Sequence, residues 1–138
     1  GLELVERARS GPYERMFGTD TSPAAITAAK ENLASASVEK VTLDKTDALA
    51  ARIPGVTLII TNPPMGRRIT RGESLDRLLV PFVTHAARTL VTGGRMAWIT
   101  PSPRDTDRAA ERAKLEIAQA STVDMGGFPG VLQLLIKR

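Results

Sequence analysis

The run Val56-Thr57-Leu58-Ile59-Ile60-Thr61 leads straight into Asn62-Pro63-Pro64-Met65, and this junction constrains the fold more than any other stretch of the chain. Neither proline has an N–H to give to a sheet ladder and both hold φ near −65°, so a strand that reaches Asn62 must stop there. Apart from Thr57 the run shows no polar alternation, the pattern of a strand buried on both faces in a parallel sheet. The proline carbonyls stay free, and the residue before a proline is pushed into an extended conformation. The Asn62 side chain and the Pro63 carbonyl are therefore expected to face one open space as a rigid pair of acceptors, suited to a ligand that carries an NH₂ group.

Short apolar runs alternate with amphipathic stretches along the rest of the chain, which argues for an α/β domain with a mostly parallel sheet. Gly1 to Arg9 reads as a helix and Arg15 to Asp20 as a short strand. Ser22 offers an N-cap oxygen with Pro23 at the first helical position, and Ile26, Ala29 and Leu33 follow on one stripe. Val38 to Leu43 reads as a strand interrupted by Lys40, and Ala48 to Arg52 as a short helical turn ended by Pro54-Gly55. Leu75, Leu78, Leu79, Phe82, Val83, Ala86 and Leu90 line one side of a long helix that ends before Gly93, with a kink or restart at Pro81. Met96 to Thr100 is a further strand and Pro103 to Ala118 a charged helix. Thr122 to Met125 and Val131 to Ile136 are the last strands, close enough for a hairpin around Gly126-Gly127-Phe128-Pro129-Gly130.

At 138 residues and 42% hydrophobic content the chain is expected to form one globular domain with a real core. The absence of cysteine excludes disulfides and thiolate metal sites and fits a reducing compartment. The lone histidine, His85, falls near the apolar stripe of its helix and reads as a packed residue, so no metal is expected. No apolar run approaches the ~20 residues that a membrane helix needs, and no secretory pattern opens the chain, so cytoplasm is the expected location. A net charge of +4 favours a polyanionic partner. Because the chain begins with glycine rather than methionine, it is expected to be a piece of a longer protein.

Thr61-Asn62-Pro63-Pro64-Met65-Gly66-Arg67-Arg68 resembles the Asn-Pro-Pro-aromatic motif of class I methyltransferases that alkylate an exocyclic or amide nitrogen with S-adenosylmethionine (SAM). Gly66-Arg67-Arg68 looks most like the RNA guanine-N2 branch, whose members often carry a THUMP RNA-binding domain. Phe17 to Pro23 is similar to the family's second strand, whose terminal acidic residue holds the SAM ribose; this maps to Asp20, followed by Thr21. Asp47-Ala48 sits where the family has its adenine-side acidic residue, and Thr92 to Pro103 looks like the fifth strand. Gly1 resembles the last glycine of the glycine-rich loop that contacts the cofactor, the rest of that loop and its strand being missing. Met65 departs from the usual Tyr or Phe, although a thioether still packs on a ring face.

The resemblance implies a Rossmann-like class I methyltransferase sheet, mostly parallel, closed by a C-terminal antiparallel hairpin and lacking its N-terminal strand. It implies SAM as cofactor, held by Gly1, Asp20, Thr21, Asp47, Ala48 and Asn62. It implies methyl transfer to guanine N2 of tRNA or rRNA, with Asn62, Pro63, Pro64 and Met65 at the reacting nitrogen. Arg67, Arg68 and Arg71 read either as phosphate contacts or as a solvated loop, and Phe128 as a stacking surface in place of the missing aromatic. Asp20 and Asp47 also read as ordinary helix-start residues. DNA adenine-N6 methylation, protein glutamine methylation and an inactive RNA-binding module are the competing readings. In the family's strand order the missing strand is central, so either another segment fills its place or its two neighbours pair directly; the first is expected.

Overall fold

A computed structural model describes residues 1–63, 76–127 and 129–138. It divides into two units, Gly1–Ala51 and Arg52–Arg138.

The first unit is a βαβ arrangement preceded by a helix: α1 (Leu2–Arg9), β1 (Met16–Asp20), α2 (Pro23–Ser35) and β2 (Val41–Lys45). The two strands run parallel, from Met16 opposite Val41 to Asp20 opposite Lys45. Ser22 caps α2 as its sequence position suggests, its hydroxyl accepting from the Ala25 N–H with Pro23 in the first turn. Ala29 and Leu33 are the buried members of the α2 stripe and join Val5 of α1 and Met16 of β1 in a small core. The strand expected over 38–43 starts only at Val41. The chain spends 37–40 leaving the helix, with Ser37 and Lys40 both left-handed at φ 52° and 55° and the Val38 N–H returning to the Leu33 carbonyl.

The second unit is a four-stranded sheet in the order β3-β4-β6-β5. Its elements are β3 (Val56–Thr61), α3 (Asp76–Thr89), β4 (Leu90–Thr100), α4 (Pro103–Arg112), β5 (Leu115–Asp124) and β6 (Pro129–Lys137). β3 and β4 are parallel, while β6 lies antiparallel to both β4 and β5, so the expected hairpin closes the sheet. Leu79, Val83, Ala86 and Ala87 of α3 and Ala109 and Ala110 of α4 pack with Met96, Trp98 and Leu135 in a continuous core. Phe82 adds an aromatic contact to Trp98, with ring centroids 6.3 Å apart.

Five expectations change. α3 runs through Pro81, and Leu90, expected on its stripe, begins β4 opposite Val56. Leu78 is off the buried stripe at 39% exposure. The charged helix stops at Arg112, because Lys114 turns the chain at φ 60° and Leu115 pairs with Lys137 of β6. β3 is not buried on both faces: it is an edge strand, and Ile60 is 44% exposed.

β1 is one of the two strands of the first unit's sheet, and β3 stands at the edge of the second unit's sheet.

Candidate functional site

In the second unit, parallel pairing of β3 with β4 ends at Thr61 opposite Trp98, so both strands leave the sheet on one edge. Asn62 lies at the point of exit, exposed, and its side-chain amide has no hydrogen-bond partner among the described residues. Pro63 follows, half-buried. Pro64, Met65, Arg67, Arg68 and Arg71 lie outside the described residues.

Next to Asn62 in strand order comes the exit of β4, which is held by a chain of hydroxyls. Thr100 and Thr106, both buried, approach each other at 3.2 Å through their Oγ1 atoms. The Ser102 N–H donates to Thr100 Oγ1 at 3.2 Å, and the Thr106 hydroxyl donates to the Ser102 carbonyl at 3.0 Å. Strand end and first turn of α4 are thus tied together at this edge. Behind them, Trp98 Nε1–H donates to Gln133 Oε1 at 3.0 Å, and Gln133 Nε2–H donates to Asp107 Oδ1 at 2.8 Å.

The β5–β6 turn reaches the same edge, because Thr100 pairs with Val131. Asp124 Oδ1 accepts from the N–H groups of Gly126 at 3.0 Å and Gly127 at 2.9 Å, both glycines having positive φ. Phe128 lies outside the described residues.

In the first unit, Asp20 ends β1 on the carboxyl edge of the two-stranded sheet. Its Oδ1 accepts from the Ser22 N–H at 2.8 Å. Oδ2 has no protein partner among the described residues. Asp47 follows β2 by two residues on that edge, its Oδ1 accepting from the Leu49 N–H at 2.8 Å and its carbonyl from the Ala50 N–H at 2.9 Å. Thr21 and Ala48, beside them, are exposed. Both aspartates therefore do what ordinary helix-start residues do, with acceptor capacity left over. At Gly1 the position of a Cβ would lie 2.7 Å from the Ala29 Cα, so glycine there serves the close packing of α1 on α2.

His85 stands in the middle of α3, half-buried, with Nε2 3.3 Å from the Thr89 hydroxyl, as a packed residue. Among the described residues no cluster of His, Cys, Asp or Glu is arranged to hold a metal. No helix among them is long and apolar enough to cross a membrane. Sequence reading missed the Thr100–Thr106 latch, Gln133 and the Asp124 turn. Of these only the last has a local signature, Asp-Met-Gly-Gly, in which a short acceptor precedes two residues free to adopt positive φ.

Residues 2–129 match the family model described as UPF0020, RMKL-like, methyltransferase domain. Over 136 residues, 96% of this chain, the sequence is 30% identical to a tRNA (guanine(6)-N2)-methyltransferase of Thermus thermophilus, covering 40% of that protein. A stretch of 71 residues, 51% of this chain, is 38% identical to a protein of the same name from Archaeoglobus fulgidus, covering 18% of it. The crystal structure of TrmN from Thermus thermophilus matches with a TM-score of 0.83 at 26% identity, over 97% of this chain and 40% of that one. A ribosomal protein L11 methylase from Lactobacillus delbrueckii subsp. bulgaricus shares the fold, with a TM-score of 0.76 at 19% identity over 99% of this chain and 65% of that one. The chain thus spans well under half the length of the curated relatives it matches.

Proposed function

Given that the chain belongs to the RMKL-like methyltransferase domain family, we propose that it is the catalytic domain of a SAM-dependent enzyme that methylates guanine N2 in tRNA. The observation that carries this reading is the exposed amide of Asn62 at a strand end, without a partner among the described residues, directly before two prolines. Relatives named as tRNA guanine-N2 methyltransferases support RNA over DNA or protein, and tRNA over rRNA. A tRNA substrate supports the cytoplasm as its place of work.

SAM supplies a methyl group already activated by its sulfonium, so the protein's task is chiefly positioning. Asn62 Oδ1 and the Pro63 carbonyl each accept one N–H of the guanine amino group. That turns the nitrogen lone pair outward and stabilises the positive charge that grows on nitrogen. Pro64 stiffens the exit of the motif and Met65 packs on the base.

The acceptors of the first unit suit the cofactor. A ribose diol offers two O–H donors, and Asp20 has an exposed carboxylate with one oxygen unengaged among the described residues. Asp20 with Thr21 is therefore assigned to the ribose, Asp47 with Ala48 to the adenine side, and Gly1, at the start of α1, to the methionine part. Replacing Asp20 by Ala should weaken SAM binding about tenfold, the worth of one charge-assisted hydrogen bond, and leave kcat at saturating SAM within a few-fold. Calorimetry on the variant checks this, and unchanged affinity removes Asp20 from the cofactor site.

Arg67, Arg68 and Arg71 are assigned to phosphates flanking the target base. Each Arg→Ala change should lower the salt slope of RNA binding by roughly 0.7–0.9 and leave SAM affinity unchanged. A filter-binding titration of wild type against the triple variant reads the slope, and parallel lines remove these arginines from the RNA. The function itself is tested by methylating unmodified tRNA with the full-length protein and labelled SAM, then digesting to nucleosides. Label in N2-methylguanosine is the expected result; label in adenine of DNA or in protein glutamine overturns it.

A further inference from the structure

Helix α4 starts at the exit of β4, the neighbour of β3 in the sheet, and the Thr100–Thr106 pair ties its first turn to that exit. The strand that follows it, β5, runs parallel to β4 because both lie antiparallel to β6. The helix therefore returns the chain from the edge where Asn62 leaves β3 to the opposite edge. Along it Arg104, Arg108 and Arg112 recur every four residues, and all three are exposed. That spacing sets them on one stripe, in steps of about 6 Å and over about 12 Å of the helix axis.

Folding of the helix gives little reason for this stripe. Like charges four residues apart repel, and Arg104 stands in the first turn, the wrong end of the helix dipole for a cation. Only Arg112, in the last turn, has the sign that the dipole favours. The packing is done on the other side, by Thr106, Ala109 and Ala110. The carboxylates of the helix do not neutralise the arginines either. Asp107 accepts from Gln133 Nε2–H at 2.8 Å, and Glu111 lines a groove with Arg108, Leu115 and Ile117 without pairing to that arginine. Among the described residues no hydrogen bond or ion pair engages any of the three guanidinium groups. Three unspent forks in a row suit an evenly spaced polyanion. A stacked nucleic-acid strand advances roughly 3.4 Å per phosphate, so the stripe spans about three steps of it.

We propose that Arg104, Arg108 and Arg112 form a phosphate track for the RNA substrate, carrying its backbone from the Asn62 edge down the outside of α4. This rests on the proposed guanine-N2 activity. Contacts to phosphate fix the register of a nucleic acid without reading its bases, so the track adds affinity and not sequence preference. None of the three arginines touches a reacting atom. Their loss therefore weakens RNA binding and leaves the methyl-transfer step alone.

The experiment uses the full-length protein with tRNA and labelled SAM. The triple variant Arg104→Gln, Arg108→Gln, Arg112→Gln removes the charges and keeps good helix formers in place. Its salt slope for tRNA binding should fall by roughly 2–3, about 0.7–0.9 for each lost phosphate. KM for tRNA should rise about tenfold or more, with kcat within about twofold. Affinity for SAM should match wild type, which certifies the fold. Arg→Lys at the same three positions keeps the charges and should restore most of the slope. A charge-matched control, Arg9→Gln with Arg88→Gln and Arg95→Gln, alters exposed cations off this helix and should leave the slope close to wild type. Parallel salt lines for wild type and the α4 glutamine variant overturn the inference. So does an equal fall in the control, a lysine variant no better than the glutamine one, or a matching loss of SAM affinity. If wild type transfers no methyl group to RNA, the proposed function fails and this inference fails with it. Transfer by wild type with parallel salt lines leaves the function standing and removes only the track.

Discussion

Replacing Asn62 by Ala lowers kcat by at least ~10²-fold and leaves SAM affinity within a few-fold, because the lost acceptor matters most as the amino nitrogen gains charge. The Asn62 amide is exposed and makes no hydrogen bond among the described residues, so truncation leaves no buried group unpaired. Stability should therefore stay within about 0.5 kcal/mol of wild type, as for surface substitutions generally. Single-turnover kinetics with a saturating cofactor separates the two effects. A comparable loss in SAM binding would make Asn62 a cofactor residue instead, and a loss of stability would make it a structural one.

Gln133→Ala produces the largest change in stability, about 3 kcal/mol, with no residue of the Asn62 edge touched. Gln133 is 2% exposed, and its amide serves two partners at once, taking the Trp98 indole N–H and giving to Asp107. Truncation leaves a cavity and orphans an indole N–H on a side chain that is itself 1% exposed. Asp107 is only half-buried and can turn to water, so the indole carries most of the cost. Urea unfolding should show a lower midpoint with an unchanged slope. The test of cause is the pair Trp98→Phe and Gln133→Leu: with both polar partners gone, the double variant should lose less than the sum of the singles by about 1 kcal/mol. Strict additivity would mean that the indole finds another acceptor.

What could be read from the chain beforehand follows the range of the forces involved. β3 matches its expected span, Val56 to Thr61, because two prolines act on their own backbone. The start of α2 is equally local, a serine oxygen and a proline ring within two residues. By contrast Leu115 to Ala118 reads as helix from the helix-forming Glu116 and Ala118, yet forms strand. There the deciding partner is β6, whose Lys137 faces Leu115. Burial of β3 was misjudged for the same reason, since an apolar run does not reveal which of its neighbours pairs with it. The site divides likewise. The placing of Asp20, Asp47 and Asn62 at or just beyond strand ends is legible because it depends on local sequence, their roles being the proposal made above. Trp98 meets Gln133 across 35 residues, and nothing near either position announces it.

The prolines after β3 have a second consequence, for solubility. Thr57 to Thr61 is an uncharged segment, β-branched at every position but Leu58, on a sheet edge, with Ile60 44% exposed, and such a segment is the usual template for cross-β growth between chains. Pro63 and Pro64 cannot extend an intermolecular ladder any more than an intramolecular one, so they cap the exposed stretch on its carboxyl side as gatekeepers. The same two rings would then keep the edge of β3, as the described residues leave it, from recruiting another copy of itself. A variant that exchanged them for β-formers would be expected to deposit from solution before its catalytic defect could be assayed.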